Sequence, residues 1–119
     1  MVEQQITLTR GGIYLAKLNP AKSGEVGKIR PVVVLNSQEI LNANPPVIFI
    51  CPLSSQSQPE FNALHFELSV RDDLKVKSYA LVEHCRSITI GRIINPRVAQ
   101  ITLPELNNIL HKLQVLIGV

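Results

Sequence analysis

Gly24-Glu25-Val26-Gly27-Lys28-Ile29-Arg30-Pro31-Val32-Val33-Val34-Leu35 is the stretch on which the reading of this chain turns. A charged loop with two glycines runs into a single arginine, then a proline, then a β-branched run. Gly24 and Gly27 give the loop backbone angles closed to other residues. Pro31 disfavours helix at Arg30 and extends the chain there. Val32 to Leu35 is a short apolar run rich in valine, which predicts a strand buried on both faces, over about 31–36. Arg30 is therefore expected where a mobile loop meets rigid sheet, a good position for a functional cation. An ordinary loop-end charge is equally compatible with this stretch alone.

Outward from it, the chain predicts a series of short strands. Ile13 to Leu18 forms the first and stops at the Asn19-Pro20 turn signal. Asn36-Ser37 offers a cap for a brief helical turn through Leu41. Val47-Ile48-Phe49-Ile50-Cys51 is the most apolar strand and ends at Pro52-Leu53-Ser54-Ser55, before a polar loop over 56–60. Leu64, Phe66, Leu68 and Val70 alternate with His65, Glu67 and Ser69, a period of two that predicts a strand with one wet face and His65 exposed on it. Arg71 to Lys77 is a charged connection. Ser78 to Val82 is a fifth strand, and Ile88-Thr89-Ile90 and Val98 to Ile101 supply two more. The chain closes on a helix. Thr102 and Glu105 have capping-box spacing, Leu106, Ile109, Leu110, Leu113, Leu116 and Ile117 share one face, and Gly118 marks the stop. Short strands with one late helix give the expected fold class: mainly β with a C-terminal helix, as a small bent sheet or partly open barrel.

At 119 residues the chain has room for one domain, 1–119, and one core. No apolar run is long enough to span a bilayer, and Met1-Val2-Glu3-Gln4-Gln5 lacks the basic and apolar start of a secretory signal. A cytoplasmic protein with no membrane partner is expected. Cys51 and Cys85 have no metal-type spacing, and no metal or other cofactor is expected. His84 beside Cys85 suggests a reactive pair, but neighbours in an extended segment point to opposite faces. The net charge of +3 is weak evidence for a polyanionic partner. Its distribution says more. Arg10, Lys17, Lys22, Lys28 and Arg30 face a single acid, Glu25, and Arg86, Arg92 and Arg97 lie in an acid-free segment over 84–104. The two basic segments form either one face or two separately solvated loops.

Candidate chemistry gathers at strand ends: Arg30, then Ser54 and Ser55, then Glu83, His84 and Arg86. Two arginines suit a phosphate, a serine hydroxyl can donate to its oxygens, and an acid or histidine can move a proton. No serine lies in a Gly-x-Ser-x-Gly context. The set suits a phosphodiester that brings its own nucleophile, as RNA does with its 2′-hydroxyl.

These residues resemble the MazF/PemK-type toxins of bacterial toxin–antitoxin pairs, over about residues 10–118. Arg10-Gly11-Gly12-Ile13-Tyr14 is similar to the family's opening Arg-Gly-acid-Ile-aromatic. Gly24-Glu25 with Arg30-Pro31-Val32-Val33-Val34 matches its most specific motif. Pro52-Leu53-Ser54-Ser55 and Ser78 with Val82-Glu83-His84-Cys85-Arg86-Ser87-Ile88 resemble two further segments. The resemblance implies an SH3-like barrel, a homodimer, a cognate antitoxin, and metal-independent cutting of single-stranded RNA to a 2′,3′-cyclic phosphate and a 5′-hydroxyl. It makes Arg30 the main catalytic residue, with Ser54 at the phosphate. With Glu83 as the acid, the expected catalytic set is Arg30, Ser54 and Glu83. The expected RNA-binding set is Glu25, Lys28, Ser55, His84 and Arg86. Three departures stand out: Gly12 for the usual acid, Glu83 for aspartate and His84 for glutamine. His84 either adds an acid–base group or is a different hydrogen-bonding side chain. A toxin of the same fold that poisons a DNA topoisomerase is the alternative function, but the terminal Leu116-Ile117-Gly118-Val119 lacks an aromatic tip. A plain nucleic-acid-binding module is disfavoured because only three Phe and two Tyr are available to stack on bases.

Overall fold

The computed structural model describes residues 7–19 and 28–119. Seven antiparallel strands form one sheet: β1 (Gly12–Lys17), β2 (Ile29–Val34), β3 (Val47–Ser54), β4 (His65–Leu68), β5 (Ser78–Leu81), β6 (Arg86–Thr89) and β7 (Ile93–Gln100). Their order is β4-β5-β3-β2-β1-β7, with β6 also paired to β3. The sheet does not close, so the expected partly open barrel with a C-terminal helix describes it. Two helices complete the fold: the short α1 (Gln38–Asn42) and α2 (Leu103–Ile117). Pro59–Leu64, which begins within the loop expected over 56–60 and ends on Leu64, expected to open the fourth strand, forms a 3-10 segment.

β3 is the hub. One edge pairs with β2 throughout Val32↔Pro52, Val33↔Cys51 and Val34↔Ile50. Its other edge serves two strands in turn: Val47 to Ile50 pair with β6, and Leu53 and Ser54 pair with β5. A strand that changes partners half-way along forces the sheet to bend. The alternation of β2 sorts the core accordingly. Val33 and Leu35 join Cys51, Leu53, Ala80 and α2's Leu106 and Ile109 on one face. Val32 and Val34 join Tyr14, Ala16, Ile48, Ile50 and Ile88 on the other. The valine run is buried on both faces, as its composition predicts.

β2 starts two residues earlier than predicted. Pro31 does not open the strand, because Arg30 and Ile29 already pair with Ala16 and Lys17 of β1. β1 supplies the partner that a reading of local sequence could not see. α2 follows its caps closely. The Thr102 hydroxyl accepts from the Glu105 N–H, the Glu105 carboxylate accepts from the Thr102 N–H, and Gly118 turns left-handed at φ 81°. Gly12 explains one departure from the resembled pattern. A Cβ there would meet Tyr14 Cε1 at 2.8 Å and the Thr9 carbonyl oxygen at 2.9 Å, so no acidic side chain fits.

Candidate active site

A cleft of about 410 Å³ opens where β2 begins and β3 ends. Lys28, Arg30, Ser54 and Ser55 line it, over an apolar floor of Leu15, Pro31 and Leu53. The β2–β3 ladder brings Arg30 and Ser54 to the same end of the sheet. Its last pair is Val32↔Pro52, and Arg30 lies two residues before Val32 in β2 while Ser54 lies two residues after Pro52 in β3. Two residues 24 apart in sequence thus line one cleft. Arg30 is half-buried in the strand, with its backbone paired to Ala16. The Ser54 Oγ accepts from the Gln56 N–H at 3.1 Å, which orients the oxygen and leaves its own proton to donate outward. Ser55 also lines the cleft, although alternation alone would turn it away.

Lys28 is held by its backbone. Its N–H donates to Asn19 Oδ1 at 2.8 Å, its carbonyl accepts from the Leu18 N–H at 2.8 Å, and its φ is 66°. That left-handed angle is uncommon for a lysine. The hydrogen bonds on either side of the peptide hold it and aim the side chain at the cleft mouth. Glu25, with Gly24 and Gly27, lies outside the described residues.

The opposite wall was not singled out by the sequence. It is the connection between β4 and β5, which contributes Asp73, Leu74, Lys75 and Val76, with Ser78 of β5 and Val98 of β7 beside it. Its only sequence signal is a run of charges, the same signal a solvated loop gives. Three cations, Lys28, Arg30 and Lys75, face one carboxylate, Asp73, in the cleft. The balance favours an anion.

The other expected site residues fall elsewhere. Glu83 sits in a 3-10 turn and its carboxylate lies 2.7 Å from His65 Nε2. It does not line the cleft. His65 is not the exposed histidine its alternation predicts. Only 7% of it is exposed, because β5 and the turn carrying Glu83 cover that face of β4. His84 is half-buried in the same turn as Glu83 and is likewise outside the cleft. Arg86 pairs across from Ile50, four residues back along β3 from Ser54, or about 13 Å away. Its Nη1 is buried and has no hydrogen-bond partner among the described residues. The structure therefore brings Arg30, Ser54, Ser55 and Lys28 together and leaves Glu83, His84 and Arg86 apart from them.

The two cysteines are neighbours, which their spacing did not suggest. The β3–β6 register continues to set Cys51 across from Cys85. A side-chain hydrogen bond with Cys85, together with burial, raises the Cys51 thiol pKa well above its ordinary value. Among the described residues, no group of three His, Cys, Asp or Glu side chains could hold a metal ion. No helix among the described residues is long and apolar enough to cross a membrane.

Comparison with known proteins places this geometry. Residues 9–117 match the family model of the PemK-like, MazF-like toxins of type II toxin–antitoxin systems. Endoribonuclease EndoA of Bacillus subtilis (strain 168) is 31% identical over 85 residues, covering 71% of this chain and 72% of that protein. MazF from Deinococcus radiodurans superposes with a TM-score of 0.83 at 23% identity, over 97% of this chain and all of that one. A MazE–MazF structure from the same organism gives 0.75 at 21% identity, over 97% of this chain and 99% of the matched chain. The likeness to these two structures is one of fold. The chain belongs to the PemK-like, MazF-like toxins of type II toxin–antitoxin systems.

Proposed function

We propose that this chain is an endoribonuclease toxin that cuts single-stranded RNA at a short sequence, using the substrate's own 2′-hydroxyl as nucleophile. The observation that carries the proposal is that Arg30 and Ser54 line one cleft, just beyond the end of the β2–β3 ladder. The family and the name of the Bacillus subtilis relative, an endoribonuclease, support it. In the reaction the 2′-oxygen forms a bond to phosphorus and the bond to the 5′-oxygen breaks. One proton leaves the 2′-oxygen and one is taken up by the 5′-oxygen. The products are a 2′,3′-cyclic phosphate upstream and a 5′-hydroxyl downstream.

Arg30 stabilises the charge that builds on the non-bridging oxygens, and the Ser54 hydroxyl donates to one of them. The high intrinsic pKa of a guanidinium makes charge stabilisation, rather than proton abstraction, the work of Arg30. Lys28 and Ser55 hold the backbone of the RNA at the mouth. The attacking group is already beside the phosphorus, so no activated water is needed and the reaction is metal-independent. A dimer held in check by a cognate antitoxin completes the reading.

The test uses a short RNA with a single 2′-deoxyribose immediately 5′ to the cut, with the all-ribose oligonucleotide alongside, both in excess EDTA. Only the all-ribose RNA is expected to be cut, and mass spectrometry of its upstream fragment should show a cyclic phosphate. Cleavage of the deoxy-substituted RNA, or a strict need for magnesium, would overturn the mechanism.

A further inference from the structure

The cleft has a second wall whose chemistry the phosphate does not explain. The connection between β4 and β5 is a tight turn. Arg71 and Leu74 exchange backbone hydrogen bonds at 3.1 and 2.8 Å, and Asp72 turns through φ 46°. Each side of the turn is anchored. The Arg71 guanidinium holds the Glu105 carboxylate of α2 and the Leu74 side chain is buried. The Asp73 N–H donates to the Val98 carbonyl of β7 at 3.1 Å. The side chains of Asp73 and Lys75 nevertheless remain exposed and line the same cleft as Arg30 and Ser54. The Lys75 ammonium lies 3.7 Å from Asp73 Oδ1 and donates to the Asp72 carbonyl at 2.9 Å.

A carboxylate in a phosphate cleft repels the backbone it faces. It suits a nucleobase edge instead, and single-stranded RNA is read largely on Watson–Crick edges. The carboxylate of Asp73 offers two acceptors side by side, and the ammonium of Lys75 offers a donor next to them. The complement is an edge that presents donor, donor, acceptor. Guanine alone has it, in N2–H, N1–H and O6. Adenine and cytosine present an amino group next to a ring acceptor, and uracil flanks its one donor with two carbonyls; each would set a lone pair against the carboxylate.

We infer that Asp73, with Lys75, reads a guanine next to the scissile phosphate and so sets the sequence preference of the cleft. This rests on the proposed RNA-cutting function and deepens it. The rigid turn supplies the preorganisation that such a contact requires.

The experiment is cleavage of a randomised single-stranded RNA pool, with sequencing of the cut sites, by the wild-type chain and by Asp73→Asn and Asp73→Glu. The wild-type chain should show guanine at one fixed position beside the cut. A bidentate base contact is worth roughly 10- to 100-fold in discrimination, and Asp73→Asn should lose most of that factor. Asp73→Glu keeps both acceptors and should keep part of it. A defined substrate carrying inosine at that position lacks only the N2 donor. It should be cut about tenfold more slowly than the guanine substrate by the wild-type chain, and at similar rates to it by Asp73→Asn. The inosine comparison on the wild-type chain needs no variant, so it stands even where a substitution at the turn fails to fold. RNA cut with no fixed guanine, with inosine and guanine equivalent, or with the preference unchanged in Asp73→Asn would overturn the inference and leave the endoribonuclease reading standing. No cleavage of any RNA by the wild-type chain would overturn the endoribonuclease reading, and this inference with it.

Discussion

Arg30 and Ser54 line the cleft as strand residues, just beyond the last β2–β3 pair, Val32↔Pro52. The buried Val32 to Val34 follow Arg30 and the buried Ile50 to Leu53 precede Ser54, so the core fixes both strands. Arg30→Ala is expected to lower the cleavage rate constant by about 10²- to 10³-fold, the usual cost of one preorganised charge donor, with the thermal midpoint little changed. Cleavage within threefold of wild type would remove Arg30 from the mechanism. Ser54→Ala should slow cleavage more than Ser55→Ala, because Ser54 is held in β3 with its Oγ oriented by the Gln56 N–H, whereas Ser55 lies past the strand's end; a reversed ranking would move the phosphate by one residue. The arginine was legible in the sequence because glycine loop, proline and valine run mark its place in only a dozen residues. The position of Glu83 outside the cleft was not legible, for the opposite reason: its partner, His65, lies 18 residues away and joins it only through tertiary packing. Glu83→Ala leaves a buried imidazole without its carboxylate, which should cost about 1–3 kcal/mol in urea unfolding. The same variant should keep most of the cleavage rate, whereas a loss as deep as that of Arg30→Ala would return Glu83 to the catalytic set.

The elements divide into those that local sequence specifies and those that pairing defines. α2 was legible end to end, since Thr102, Glu105 and Gly118 are local signals and the hydrogen bonds they predict are all made. The strand boundaries shifted by two to five residues wherever a neighbouring strand extended the ladder, as β1 does for Arg30 and for Ile93 and Ile94, and β5 does for Leu53 and Ser54. The β4–β5 connection was the least legible element, because the bonds that make it rigid run to β7 and α2. One of them has a pH signature. Arg71 holds Glu105 in a paired geometry, and that hydrogen bond, with help from Thr102, lowers the Glu105 pKa from 4.5 to about 2. A carboxylate whose pKa is lower in the folded state stabilises the fold above its unfolded pKa. That contribution is lost as the pH falls from 4.5 through about 2. Glu105→Gln keeps an oxygen for the Thr102 N–H but removes the charge. It should lower stability near neutral pH by about 1 kcal/mol, or roughly 4 °C in Tm. Its melting temperature should also fall less steeply than wild type over that acid range, and parallel acid profiles would show that the pair does not report on folding.

At the scale of the molecule, the sequence foretold a series of short strands, the late helix and the open character of the sheet, because alternation and turn residues are written locally. It could not foretell that β3 would serve β2, β6 and β5, since partner choice depends on how the whole sheet closes its core. The open sheet leads to the final prediction. Among the described residues, β4 and β7 end the strand order and β6 pairs only with β3, so backbone donors and acceptors remain at several edges. The last turn of α2 and the residues after it expose Val115, Ile117 and Val119, at 63%, 64% and 86%. A small protein with free strand edges and an apolar helix end gains by covering both, and a two-fold pair covers each twice with one interface. The protein is therefore expected to be a dimer at micromolar concentration, with a light-scattering mass of twice 13.2 kDa. Burial of apolar surface is not screened by salt, whereas contacts between exposed charges are. The dimer mass should accordingly persist when salt is raised from about 0.1 M to about 1 M, over which the Debye length falls from about 10 Å to about 3 Å. A monomer mass at both salt concentrations would contradict the dimer, and a dimer that dissociates in the higher salt would mean that charges, not these apolar residues, hold it together.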